Sequence, residues 1–376
     1  MTEIRPVFAD QMRELPGVGQ VPTGVRHGVV RALRRAGKAA LVLGAVMAAT
    51  WSTAAVFFTD LPPGHPPRTF AAILFAGVCV TIPILVRSSR LAAGAVGVMF
   101  LVVLSWFLTR TPLQNRNWTA DVAQTPTASI DGDVITIRNV RNFDYHSAAT
   151  FTPRWETRTY DVSKLKTVDY VLSHRGSDAI AHVIVSFGFE DGRYLAASTE
   201  TRREQGEVFS AAQGFFRQYE LVYVFGDERD LIRQRTNFRG EDVYMFRLLA
   251  PPERARQVLL GYLNHANALA ESPEFYNPLT SHYSRNLIYD INDDAKSTIS
   301  PWHLGLVLNG YSARLAYDAG SIDRSLPYED LRRMCRINSA ANDAAPDHLF
   351  SHRIRVGLPD PTLLSPRIAA LPRDPL

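Results

Sequence analysis

The stretch HVIVSFGFEDGRYLAAST (residues 182–199) decides how the larger part of this chain folds. Two β-rich runs, 182–189 and 194–199, flank Glu190-Asp191-Gly192-Arg193. Asp-Gly between such runs predicts a hairpin closed by a two-residue type I′ turn. Alternation puts Val183, Val185, Phe187 and Phe189 on one face and His182, Ile184, Ser186 and Gly188 on the other. The first face is the expected core. The second is expected to meet a polar region or a further layer. A two-residue turn pairs His182 with Thr201 and sets Glu200 opposite Val183, on the wrong face to orient His182 unless a bulge intervenes.

Around this hairpin, residues 134–140, 221–225 and 243–248 read as further strands, and their short connections predict an antiparallel sheet. Helical spacing follows over residues 252–269, where Val258, Leu259, Tyr262 and Leu263 share a face and Pro252 suits the first turn. Further helices are expected from near Thr280 to His282 onward, from Ser300-Pro301 to about Leu308, and over 327–341. From Asp343 the recurring prolines predict an extended tail, and residues 111–130 read as a linker. Sheet first and helices later gives an α+β domain over 131–376.

The first third has a different composition. Residues 39–59, 69–86 and 91–109 contain no Asp, Glu, Lys, Arg or His. A bilayer core takes about 20 apolar helical residues, so these form a three-span anchor over 39–110. The first connection, DLPPGHPPR (60–68), holds four prolines, and the second holds Arg87 and Arg90. Arg26, Arg31, Arg34, Arg35 and Lys38 precede the first span. Basic residues stay on the cytoplasmic side. Residues 1–38 are therefore expected inside, and the chain beyond 110 outside an inner membrane. A cleaved leader ending in the first span is the alternative; the long preceding segment and two further spans argue against it.

Several function classes are excluded or disfavoured. With 41 Lys+Arg against 37 Asp+Glu the net charge is +4, and no nucleic-acid partner is expected. No ionisable side chain lies within a span, which argues against transport and proton relay. Two cysteines, Cys79 in a span and Cys335 beyond it, make no disulfide scaffold. There is no phosphate loop, dinucleotide fingerprint, HExxH or GxSxG elbow, so no cofactor or metal is expected. His348 and His352 lack a third ligand, and Cys335 lacks a neighbouring base. Glu200, Arg202, Arg203, Glu204 and the run Asp227 to Asp230 read as ion pairs.

Two places could carry chemistry. His182 begins a strand and is either a base or a histidine satisfied by backbone. Asn277-Pro-Leu-Thr-Ser-His-Tyr-Ser-Arg-Asn286 brings a loop into a helix, where backbone N–H groups stabilise an oxyanion. Tyr283 and Ser284 stand there; the alternative is that Thr280 or Ser281 caps the helix and Tyr283 packs.

The segments 137–161, 180–207, 214–248 and FYNPLT (275–280), in that order, resemble the Lnb N-terminal periplasmic domain family. The resemblance covers most of 134–358. It implies a circularly permuted papain-like or NlpC-type fold and cysteine–histidine acyl transfer, with membrane lipid or lipoprotein as the implied partner. The family histidine corresponds to His182. The family's Asn-Cys-Thr corresponds to His282-Tyr283-Ser284, so Tyr283 takes the nucleophile's place. A phenol, with pKa near 10, does not replace a thiolate. Three readings follow. The domain has lost acyl transfer and binds lipid or lipoprotein; it acts with another nucleophile, Ser284 or Tyr283, and His182 as base; or it is an envelope assembly factor.

Overall fold

The computed structural model describes residues 23–59, 67–278 and 303–359. Contacts divide the chain into two units, Met1–Arg110 and Thr111–Leu376. In the first, α1 (Thr23–Phe58), α2 (Arg68–Leu85) and α3 (Ser89–Thr109) are each long and apolar enough to cross a membrane. Trp51 of α1 packs edge-on against Phe100 and Phe107 of α3, with centroids 5.5 and 5.2 Å apart. Pro83 lies in the last turn of α2, where little helix remains to be broken.

The second unit is an α+β domain. Its strands are β1 (Thr127–Asp131), β2 (Val134–Arg141), β3 (Asp144–Tyr145), β4 (Phe151–Thr152), β5 (Trp155–Asp161), β6 (Leu165–His174), β7 (Ala181–Phe189), β8 (Tyr194–Arg202), β9 (Glu220–Gly226) and β10 (Asp242–Arg247). The main sheet runs β1-β2-β9-β8-β7-β6-β10, with β5 also paired to β2; β3 and β4 form a separate hairpin. All its pairings are antiparallel except one: β2 meets β9 in parallel where Arg141 lies beside Gly226. The expected antiparallel sheet is thus mixed at a single junction.

Both faces of the sheet are covered. On one, Val185, Phe187 and Tyr223 pack against α6 (Pro252–Glu271), the helix that follows the short α4 (Ala211–Phe215) and α5 (Glu228–Leu231); it presents Val258, Leu259, Tyr262 and Leu263 at helical spacing. On the other, Val171, Ile184, Val222 and Val243 pack against Leu231, Ile232, Ile337, Phe350 and Ile354. Each such burial contributes about 1.5–3 kcal/mol. The second layer anticipated for the His182 face is therefore present.

Three further sequence expectations change. Residues 327–341 are two short helices, Tyr328–Met334 and Asn338–Asp343. Between them Cys335 O accepts from Met245 N (2.8 Å) and Ile337 N donates to Val243 O (3.0 Å). The edge of β10 takes up those backbone groups, which stops the helix and caps the sheet. Residues 111–130 are docked rather than a free linker: Trp118 is buried and bridges to Glu204, and β1 pairs with β2.

The stretch after Asp343 is not an extended tail as far as residue 359. It forms the helix Phe350–Arg353, buries Phe350 and Ile354, and inserts Arg355 between two carboxylates. Arg355 pairs with Asp169 and Glu228 at 2.7 Å each, while Glu228 also accepts from Ser186 Oγ (2.5 Å). Asp169 is further bound by Arg247. Removing one partner of a buried pair leaves the other charge uncompensated. Arg355→Ala is therefore expected to cost about 3–5 kcal/mol in denaturant unfolding. Arg333→Ala, at an exposed pair with Asp330, should cost less than about 1 kcal/mol.

Candidate functional site

The site begins with a loop length. β7 and β8 close over three residues, Glu190-Asp191-Gly192, not two. Phe189 N donates to Arg193 O (2.9 Å) and Gly192 N to Phe189 O (3.0 Å). Gly192 lies at φ +79, a left-handed value that glycine adopts without a Cβ clash. Asp191 Oδ1 accepts from Arg193 N (3.0 Å), which steadies the turn. The resulting register pairs Ile184 with Ser198 and Gly188 with Tyr194. One residue of slip moves the other set of β8 side chains to this face. Ser198 and Glu200, rather than Thr201, therefore join His182.

The polar contacts follow from that register. His182 Nε2 is 2.6 Å from Ser198 Oγ and 3.1 Å from Glu200 Oε1. Ser198 Oγ donates to Glu200 Oε1 (2.9 Å). A π-turn, Gln234–Phe238, delivers Arg235, which donates to Glu200 Oε1 (3.2 Å) and to Glu241 Oε2 (3.1 Å). Ser173, opposite His182 on β6, donates to Glu241 Oε2 (2.6 Å). Since Ser198 spends its one proton on Glu200, its oxygen accepts from His182 Nε2–H. This assigns the tautomer: Nδ1 carries the lone pair, and it has no hydrogen-bond partner among the described residues. The ring is 24% exposed, so Nδ1 sits in a partly covered place rather than in bulk water.

Electrostatics fit a neutral base beside an ionised carboxylate. Burial pushes the His182 imidazole below its ordinary 6.5, Arg235 adds to that, and Glu200 opposes it incompletely. Burial alone would raise Glu200, but its positive neighbours outweigh burial and hold it well below the usual carboxylate range. His182, through its charge and its hydrogen bond, lowers Glu200 most, and Arg235 adds a permanent positive charge. A carboxylate held ionised next to Nε2–H orients the ring and stabilises the imidazolium that forms when Nδ1 takes a proton.

Both flanks of residues 279–302 dock near this histidine. Tyr276 N donates to Tyr219 O (2.9 Å), and the Tyr276 hydroxyl is pushed up to about 12 by burial and then by Glu200. Beyond the segment, Asn309 clamps the backbone of Ala181: Oδ1 accepts from Ala181 N (3.0 Å) and Nδ2 donates to Ala181 O (2.8 Å). His282, Tyr283 and Ser284, with the helix expected from Thr280 onward, lie outside the described residues.

Other candidates resolve differently. Cys335 is buried, and burial followed by Asp169 pushes its thiol up to about 12, which leaves it unreactive. His352 lies edge-on to Tyr194. Among the described residues no group of three His, Cys, Asp or Glu could hold a metal. Of the charged clusters, Asp230 pairs with Arg141, Glu204 with Arg116, and Arg203 with Asp121. Glu200 belongs to the histidine site instead. Ser173, Ser198, Arg235 and Glu241 are further members of that site; no sequence pattern singled them out, because the strand register and the π-turn bring them together.

Residues 151–304 match the model of the Lnb N-terminal periplasmic domain family. This is the family that the sequence segments resemble. No curated protein and no solved structure matches the chain. The Lnb match spans β4 to the helix Leu304–Val307 and includes His182, Glu200 and the His282-Tyr283-Ser284 triplet. With three helices long and apolar enough to cross a membrane, it fits a membrane protein carrying a periplasmic domain.

The His182 titration is a direct check on the candidate site. Histidine NMR should place its midpoint below the ordinary 6.5. Arg235→Gln removes a positive neighbour and should raise the midpoint; Glu200→Gln removes the counter-charge and should lower it further. A depressed histidine gives stability that is present above the unfolded-state pKa and lost as pH falls toward the folded one.

Proposed function

We propose that this is an inner-membrane protein, with its amino terminus cytoplasmic and its Lnb-type domain periplasmic, that keeps the base half of an acyl-transfer site but has lost the thiol half. The domain binds an acyl-bearing, lipid-linked partner, a membrane lipid or lipoprotein, without forming a thioester. The observation that carries this reading is the His182–Glu200 pair, buttressed by Arg235 and open at Nδ1. Such an arrangement is what a nucleophile's proton acceptor needs. Tyr283, five residues beyond Pro278, is within about 17 Å of it along the chain, and Pro278 lies close to Tyr276 in the Glu200 field. Orientation rests on the basic residues before α1 and on Arg87 and Arg90 between α2 and α3.

The intact base favours one second reading, in which Ser284 is the nucleophile and His182 accepts its proton. Labelling with an acyl probe separates the two. Purified wild type should stay unlabelled, Tyr283→Cys should become labelled, and adding His182→Ala should reduce that labelling at least tenfold. Wild-type labelling that disappears in Ser284→Ala would establish the serine enzyme instead. A folded Tyr283→Cys variant that takes no label would remove the basis for an acyl site at this position.

A further inference from the structure

The connection between β8 and β9 turns apolar side chains outward from a pinned backbone. Val208 is 79% exposed, Phe209 50% and Phe215 46%. The backbone around them is held: Ser210 N donates to Tyr219 Oη (2.9 Å), and that hydroxyl reaches Val208 O (2.9 Å) and the Gln213 side chain. Phe209 stacks on the Tyr219 ring at 6.0 Å. The short helix α4 (Ala211–Phe215) follows, and Arg217 closes the turn at φ +56, a left-handed value rare for a side-chain-bearing residue. Glu207 is the only charged residue of 205–216. It is turned back on the loop, accepting from Glu204 N (2.8 Å) and Gln218 Nε2 (2.5 Å).

The loop is tied to the chain that leaves α3. Thr119 N donates to Arg203 O (2.9 Å) and Gln205 N to Asn117 O (2.8 Å). Asn117 is eight residues past Thr109, where α3 ends, and Val208 is three past Gln205. The patch is therefore tethered to the end of α3 by a short path of chain and one backbone hydrogen bond. A tethered surface faces its bilayer at high effective concentration.

We infer that residues 208–215 form a membrane-docking element, with Val208, Phe209 and Phe215 entering the interfacial layer of the bilayer that α1–α3 cross. Apolar and aromatic side chains on a weakly charged, ordered loop suit that layer. The element also abuts the candidate site. A Cβ added at Gly214 would come within 3.0 Å of Pro278 and 3.4 Å of Tyr276. Docking would thus hold the approach to His182 next to lipid, whether or not the domain catalyses acyl transfer.

The test uses the full chain in vesicles of phosphatidylethanolamine and phosphatidylglycerol. A nitroxide is attached at Val208→Cys or Phe215→Cys; the native thiols Cys79 and Cys335 are buried. Collisions with oxygen should exceed collisions with a water-soluble nickel chelate at both positions. The order should reverse at Val356→Cys, which is equally exposed at 78%. With the five native tryptophans changed to phenylalanine, brominated lipid should also quench Phe209→Trp fluorescence at least twofold, a readout that leaves an aromatic in place. Positions 208 and 215 behaving like 356 would overturn the proposal. So would exclusion of both reagents, which would mark a protein contact instead of lipid.

Discussion

Gly192, at φ +79, lets the β7–β8 connection close over three residues, and that length decides which side chains of β8 face His182. A two-residue turn would have set Thr201 there and turned Glu200 toward the α6 layer. Because side chains alternate strictly along a strand, no smaller adjustment can carry Glu200 to the histidine. The orienting carboxylate, the hydroxyl between it and the ring, and the tautomer that leaves Nδ1 open all follow from this one register.

The face that carries His182 holds two polar networks, and their difference is informative. In the first, Arg355 joins Asp169 to Glu228, Ser186 completes Glu228, and Arg247 completes Asp169. Its charges are matched inside the protein, and it fastens the C-terminal helix to the sheet. In the second, Arg235 bridges Glu200 and Glu241, with Ser173 and Ser198 completing them. Here one acceptor, His182 Nδ1, has no partner among the described residues. A structural network closes on itself, whereas this one ends in a base that is partly open to solvent.

Much of this architecture is legible in the sequence. The three apolar helices follow from uncharged runs of bilayer length, and α6 from its apolar stripe. The existence of the hairpin is legible in Asp191-Gly192; its register is not, since a left-handed glycine serves a two-residue or a three-residue connection. β6 escapes notice because a strand covered on both faces loses its alternation, and because Asp169 looks out of place until Arg247 and Arg355 arrive from distant segments. The proline-bearing C-terminal stretch reads as a tail because only two large apolar anchors, Phe350 and Ile354, and one buried cation hold it down. For the candidate site, the family resemblance singles out His182. Glu200 is visible but assigned to the wrong face, and Arg235 depends on a π-turn with no local signature.

An acyl site at this position requires His182 and Tyr283 to share one crevice. The most direct measurement is thiol cross-linking in the full chain, with Cys79 and Cys335 replaced by serine and the pair His182→Cys, Tyr283→Cys introduced. A short bifunctional reagent should join the two positions about as completely as it joins the control pair His182→Cys, Glu200→Cys, whose native side chains touch. Efficient cross-linking of the control with none between 182 and 283 would contradict the shared site.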